Sequence, residues 1–251
     1  MKILSIDIET TPNLAHVWGL WDQNVGLNQL LIPTEMLCFA AKFKDSPKMY
    51  FGRQRALDGD KTEMVELAHS LLDEADVVMH FNGKRFDERH MNREFAQAGM
   101  LPPAPYKRID LLLALKKQFA FPSNKLEHML NSFKLQGKVK HAGHTLWIDC
   151  MRWDEKAWRK MTAYNKGDVR ALEELYDRTQ PWIQPHPNIG LYDEEPGVID
   201  KCPTCGSTDL KPQGHRFTAV GKYQRYQCGE CGKWSSSGKR VAGVNIREVL
   251  S

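Results

Sequence analysis

Asp7 and Glu9 stand two residues apart at the end of the apolar run that opens MKILSIDIET. Side chains of a strand alternate faces, so both carboxylates share one face while Leu4, Ile6 and Ile8 occupy the other. Two like charges on a core strand are unfavourable unless a cation neutralises them, and a hard divalent ion bound through oxygen does this. The alternative for this pair is a strand end emerging into water. Asp87 closes Asn82-Gly83-Lys84-Arg85-Phe86-Asp87, where a strand ends and a helix begins; read alone, it is a helix N-cap. Tyr164 and Asp168, in Tyr164-Asn165-Lys166-Gly167-Asp168, are four apart and share a helix face. Ala171, Leu172 and Leu175 continue that stripe, so Asp168 sits at the margin of a buried face, where a carboxylate needs a partner. The alternative is an exposed Asp beside a core aromatic.

A second chemistry lies near the end of the chain. Cys202-Pro-Thr-Cys205-Gly and Cys228-Gly-Glu-Cys231-Gly are two similar knuckles. Each CxxC bends two thiolates toward one point, and the glycine after it supplies the tight turn. Four thiolates around one ion describe a closed, structural, tetrahedral zinc site with no open coordination position, as in a zinc ribbon. The 22 residues between the knuckles alternate enough for a β-hairpin. Cys38 and Cys150, isolated in apolar surroundings, read as buried free thiols.

The elements that must position these groups follow from periodicity. Residues 3–8 predict a buried strand. LAHVWGL at 14–20 and MLCFAAKF at 36–43 predict its neighbours in a meander, with KMYFG a shorter edge piece. In this reading Trp18 and Trp21 pack in a core or on an edge strand, with stacking on a terminal base as the alternative. Met64, Leu67, Ala68, Leu71 and Leu72 predict a helix from about Lys61 to Leu72, started by a capping box of Asp60 and Glu63. DVVMHF at 76–81 predicts a strand ending at the Asn82-Gly83 turn, and a helix follows from Asp87. Asp110 reads as the cap of a helix near 111–119. SNKLEHMLNSF predicts a helix capped by its serine, Ser123. GKVKHAGH at 137–144 reads as a basic loop whose Lys138, Lys140, His141 and His144, with Lys134, line a strand-binding groove or are simply solvated. Trp153 to Arg178 predicts helix, and the four prolines between 179 and 200 predict a linker. The expected fold is α/β, a mixed sheet flanked by helices over 1–180, then a linker at 181–200 and a small β module at 201–251.

Hydrophobic residues make up 41% and charged residues 26% of the 251, the composition of a globular protein. No apolar run approaches the ~20 residues of a membrane span, and the N-terminus lacks the form of a signal peptide. A cytoplasmic location without a membrane partner is the default expectation. Charge is uneven. From Lys201 onward nine Lys/Arg face three Asp/Glu, net +6, while the first 200 residues hold 26 against 28, net −2. Phe217, Tyr223, Tyr226 and Trp234 are interleaved with Arg216, Lys222, Arg225 and Lys233. That mixture suits contact with phosphates and bases, and a protein partner through this module stays open as the alternative.

Together, Asp7-Ile8-Glu9, Asn82 to Asp87 and Tyr164 to Asp168 resemble, in order and spacing, the three exonuclease motifs of the DEDD superfamily. Tyrosine in the third motif resembles the DEDDy subclass, and the likeness is greatest to YprB-like exonuclease domains that phages and bacteria encode. The resemblance implies a ribonuclease-H-like fold over residues 1 to about 180 and 3′–5′ exonuclease activity releasing nucleoside monophosphates. It implies two Mg²⁺ or Mn²⁺ ions: Asp7, Glu9 and Asp168 hold one, and Asp7 also reaches the second, with Asp87 nearby through water. Tyr164 orients the attacking water. Substrate contacts fall to the backbone at Thr10 and Thr11, to Asn82 and Phe86, and to Lys138. DNA, through single-stranded 3′ ends, is the expected substrate; RNA, or a nucleic-acid-binding protein with a vestigial site, are the alternatives.

Overall fold

The computed structural model describes residues 1–55, 59–135, 143–192 and 200–247. Two compact units divide the chain, one of Lys2–Arg178 and one built on Thr179–Ser251. In the first, a five-stranded mixed sheet has the order β5-β4-β1-β6-β7. Its members are β1 (Ile3–Thr10), β4 (Met36–Phe43), β5 (Met49–Arg53), β6 (Val77–His80) and β7 (Lys107–Asp110). β1 pairs antiparallel with β4 and parallel with β6. Two short strands, β2 (Leu14–Ala15) and β3 (Leu30–Ile32), form a separate hairpin between β1 and β4.

The alternation expected of β1 sets the two layers. Leu4, Ile6 and Ile8 pack with Phe39 and Ala41 against α1 (Thr62–Glu74) and α2 (Asp87–Gln97), through Met64, Ala68, Leu72, Met91 and Phe95. The opposite face of β4, at Leu37 and Cys38, packs on α5 (His144–Met151) and α6 (Glu155–Thr179) through Leu146, Cys150, Trp158, Met161 and Tyr164. Asp7 and Glu9 pair with Ala40 and Cys38 on that second face. α3 (Leu111–Gln118) and α4 (Leu126–Ser132) complete the unit. Lys42–Glu173 at 2.6 Å and Lys44–Asp177 at 2.6 Å tie β4 to the far end of α6.

Some expectations fail for local reasons. Residues 14–20 do not add a strand to the main sheet; only Leu14 and Ala15 are extended, paired with Leu30 and Ile32. Trp18 and Trp21 are exposed rather than packed. Asp60 does not form a capping box with Glu63, because Lys61 is the N-cap and Asp60 accepts the Thr62 N–H at 3.0 Å instead. Ser123 accepts the Lys125 N–H at 3.3 Å, and the helix begins one residue later without a side-chain cap. α5 was hidden by the basic run before it, which lies largely outside the described residues.

In the second unit β8 (Leu210–Phe217), β9 (Gly221–Cys228) and β10 (Trp234–Gly243) form an antiparallel sheet of order β10-β9-β8. The expected hairpin is β8–β9, and β10 adds a third strand. Part of the proline-rich stretch belongs to this unit. Gln180 donates to the Thr204 carbonyl at 3.0 Å, Ile189 N–H to Pro203 at 2.8 Å, and Lys233 Nζ to Ile183 at 2.8 Å. Among the described residues no helix is long and apolar enough to cross a membrane.

Candidate functional site

Carboxylate oxygens of Asp7, Glu9 and Asp168 all lie within 4.8 Å of one another. β1 supplies the first two and α6 the third. The register of β1 against β4 shifts between Glu9 and Thr10, so the chain turns away just after the pair. At 4.8 Å two carboxylates repel by roughly 3 kcal/mol with an effective dielectric near 20. α6 is nevertheless held on the sheet, because Met161, Leu172 and Leu175 are fully buried along its stripe and each contributes roughly 2 kcal/mol of burial. Packing therefore imposes the cluster. Its donor set, carboxylate oxygens alone, fits a hard divalent cation.

Each member is braced. Asn165 Nδ2 donates to Asp7 Oδ2 at 2.7 Å and to the Asp7 carbonyl at 3.1 Å. Trp147 Nε1, on α5, donates to Glu9 Oε2 at 3.1 Å. The Trp147 ring meets Tyr164 edge-on, centroids 5.9 Å apart. Tyr164 is 7% exposed, and its hydroxyl is hydrogen-bonded with Asp168. Burial first, then the charges of Asp168, Glu9 and Asp7, hold the phenol proton on well above the usual tyrosine range.

Asp87 approaches from the other edge of β1. The β1–β6 ladder runs only from Ile3 to Ser5, and beyond it the Ile8 N–H donates to Asp87 Oδ1 at 3.1 Å. Asp87 thus replaces a missing strand partner and sits buried between the positions of Asp7 and Glu9 along the strand. It is not the N-cap; Phe86 is. Burial pushes its carboxyl up to about 6, opposed by His80 and the Ile8 amide and assisted by Asp110.

A polar network fixes the turn before Asp87. Gly83 N–H donates to His80 Nδ1 at 3.1 Å, and His80 Nε2 is hydrogen-bonded with Glu88 Oε1 at 3.1 Å. Arg108 Nε donates to both Glu88 oxygens, at 2.7 and 2.8 Å. Burial raises the Glu88 carboxyl, but His80 and Arg108 outweigh it and hold it below its ordinary range. Asp110 caps α3 through Leu113 N–H and also accepts the N–H groups of Asn82 and Lys84. A Cβ at Gly83 would come within 2.3 Å of His80 Cγ, so only glycine fits this approach.

The expected substrate contacts are placed unevenly. Thr10 ends β1 beside Glu9. Thr11 departs from the expectation, because its N–H is given to the Glu35 carbonyl at 2.9 Å and its hydroxyl accepts the Glu35 N–H at 2.9 Å. Its backbone donor secures the fold rather than facing a nucleotide. Asn82 takes a left-handed backbone at the turn, and Phe86 is partly exposed with its ring 4.6 Å from His90. Lys138, Lys140 and His141 lie outside the described residues. Asn165, Trp147, His80, Glu88 and Arg108 were not found from sequence. A buried-stripe asparagine and a histidine closing an apolar strand were the available signals, since each must find a polar partner.

In the second unit, ligand atoms of Cys202, Cys205, Cys228 and Cys231 also lie within 4.8 Å of one another. Gly206 and Gly232 take φ of 77° and 76°, the left-handed turn expected after each knuckle, and donate to the Cys202 and Cys228 carbonyls. Burial raises the Cys228 thiol, but the N–H groups of Cys231 and Glu230 and the neighbouring thiols bring it down to about 7. This sheet with its cysteine cluster fits a zinc ribbon.

Comparison with protein families finds a match to the RNase_H superfamily over residues 4–180. No curated protein matches the chain in sequence. Among solved structures the chain is similar to the family B DNA polymerase from the hyperthermophilic archaeon Pyrobaculum calidifontis, with 14% identity and a TM-score of 0.57. That match covers 72% of this chain and 24% of the polymerase, so the chain spans about a quarter of the polymerase's length. At that identity the likeness is one of fold.

Proposed function

The chain belongs to the RNase_H superfamily, and we propose that it is a metal-dependent 3′–5′ exonuclease that hydrolyses DNA and releases nucleoside monophosphates. The observation that carries this reading is the convergence of Asp7, Glu9 and Asp168 within 4.8 Å, with Asp87 braced on Ile8 and Tyr164 bonded to Asp168. Asp7, Glu9 and Asp168 would hold one Mg²⁺ or Mn²⁺, and Asp7 would reach a second, with Asp87 near it. Bound there, such ions stabilise the attacking and leaving oxygens of an in-line displacement.

The chain's own groups do the positioning. Tyr164 keeps its proton, so it is no general base at neutral pH. It donates that proton toward Asp168 and leaves its oxygen to accept one from the attacking water. Asn165 and Trp147 fix the rotamers of Asp7 and Glu9. The 3′–5′ direction and the preference for DNA rest on the likeness of the three motifs to those of DEDDy exonucleases.

The cysteine cluster supports one structural Zn²⁺. A second contact with nucleic acid through this module is supported by cations stacked on its aromatics: Arg225 lies 4.6 Å from the Trp234 ring centroid and Lys222 5.9 Å from that of Phe217.

Labelled substrates test the activity. With Mg²⁺ or Mn²⁺, 5′-labelled single-stranded DNA should shorten stepwise, 3′-labelled DNA should lose its label as mononucleotide, and EDTA should stop both. Mononucleotide released first from the 5′ end overturns the direction. Cleavage of RNA alone would move the reading to an exoribonuclease, and binding without metal-dependent cleavage to a vestigial site.

A further inference from the structure

The segment between β1 and β4 exposes side chains that a folded domain ordinarily hides. Trp18 is 99% and Trp21 83% exposed, and Leu20 and Leu27 are exposed beside them. Such a patch on an ordered segment marks a contact surface. The order comes from amides rather than from burial of the indoles. His16 N–H donates to the Gln29 carbonyl at 2.9 Å, Gln29 Nε2 to the His16 carbonyl at 3.0 Å, and Gly26 N–H to Gln29 Oε1 at 2.9 Å. His16, Val17, Trp18, Asn28 and Gln29 line a recess of about 480 Å³.

The root of this hairpin is fixed at the carboxylate strand. Thr11, two residues past Glu9, exchanges hydrogen bonds with Glu35, and Thr34 Oγ donates to the Thr11 carbonyl at 2.6 Å. The hairpin is therefore continuous with the end of β1 that carries Asp7 and Glu9. Its chemistry narrows the occupant. Residues 14–32 contain no Lys or Arg and only Asp22 among the acids; the Gln29 amide holds the hairpin together and Gln23 Nε2 donates to the Trp21 carbonyl, and Asn24 and Asn28 supply further amides. Cations read phosphates; indole faces and amide edges read bases. A duplex hides base faces, and an unpaired strand presents them.

We infer that the hairpin at residues 14–32 is a base-stacking platform, on which Trp18 and Trp21 hold unpaired bases of the strand whose end enters the carboxylate site. The inference rests on the nuclease reading and makes single-stranded DNA the favoured form of substrate.

The test compares the full-length protein with a Trp18→Leu/Trp21→Leu variant, which keeps apolar side chains but loses the rings, and with Trp18→Phe/Trp21→Phe, which keeps rings. Affinity for a fluorescein-labelled oligo-dT is read by anisotropy in EDTA, and KM and kcat on the same strand with Mn²⁺. The leucine variant should show Kd and KM raised roughly tenfold or more, with kcat falling far less, and phenylalanine should recover most of the loss. Leucine binding as tightly as the native indoles overturns the inference, as does phenylalanine failing to recover with an unchanged melting curve. Self-association of the native protein that the leucine variant abolishes would assign the face to a second copy instead and overturn it. Native protein that cleaves nothing, yet binds the oligomer through its indoles, would sink the nuclease reading and leave the platform standing.

Discussion

Asn165 Nδ2 reaches both the side chain and the main chain of Asp7, at 2.7 and 3.1 Å. The two contacts lock helix α6 to strand β1 where their carboxylates meet, and they choose the rotamer that turns Asp7 toward Glu9 and Asp168. Removing such a brace from a metal ligand weakens metal binding about 10- to 100-fold. Asn165→Ala should therefore reduce Mn²⁺ affinity by that order, measured by calorimetric titration. Unaltered affinity in the alanine variant would reduce Asn165 to a packing residue.

Asp7→Ala, Glu9→Ala, Asp87→Ala and Asp168→Ala should each nearly abolish cleavage. Each loses a group that holds, or stands beside, ions carrying several kcal/mol of transition-state stabilisation. Removal of Asp7, Glu9 or Asp168 also relieves like-charge repulsion, so those variants should unfold no earlier than the native protein in EDTA. A variant keeping more than about a tenth of native activity, a loss of only ~1.4 kcal/mol, would remove its residue from the site.

The layer arrangement was legible because β1 alternates cleanly and α6 keeps a continuous stripe from Ala157 to Tyr176. Periodicity reports such faces directly. It could not report the hairpin at 14–32, whose apolar side chains mimic a strand yet stay in water. Nor could it find Trp147 or Arg108, whose partners Glu9 and Glu88 are brought to them only by tertiary packing. Asp87 illustrates the limit from the other side. Its position at the head of a helix suggested a cap, whereas the structure uses it to satisfy Ile8, 79 residues away.

Tyr164→Phe should slow hydrolysis while sparing Mn²⁺ affinity, because the ring keeps its packing on Trp147 and only the hydroxyl is lost. The phenol holds its proton far above neutrality, so it contributes no limb to the pH–rate profile. The variant's profile should be lowered without changing shape. A limb that disappears with the hydroxyl would make Tyr164 a titrating participant.

Asp87 makes metal-free stability depend on pH in a definite direction. Its carboxyl, ordinarily near 3.8, is raised to about 6 by burial. The folded state then binds the proton more tightly than the unfolded chain, so stability falls as pH rises from about 4 through about 6. Asp87→Asn keeps an acceptor for the Ile8 amide without the charge. In EDTA, denaturant unfolding should show the variant gaining on the native protein between pH 4 and pH 7.5, by at most roughly 3 kcal/mol. A constant difference across that range would mean that Asp87 is not the group responsible.

The cysteine module should carry one zinc per chain, and its fold should depend on it. Its strands bury little: Cys202 and Cys228 are among its few buried side chains, and most of β8 and β10 is exposed. A β module of that size lacks the apolar core to hold itself together, so metal binding supplies the stabilisation. The sulfurs are already gathered, with Cys202 to Cys231 at 3.7 Å and Cys205 to Cys228 at 3.6 Å, and backbone N–H groups bond Cys228, Cys205 and Cys231. Those donors favour thiolates, the form that binds zinc; they outweigh burial at Cys228, whereas burial still holds Cys205 and Cys231 above the ordinary thiol range. Elemental analysis of protein purified without added metal should give about one zinc, and Cys228→Ser should lose it. A strong chelator should melt this module while the sheet of Lys2–Arg178 keeps its own cooperative transition, read by near-ultraviolet circular dichroism at Trp234 and Tyr223 against Trp158. Protein without zinc, with all four thiols titrating freely and the module still folded, would rule the metal site out.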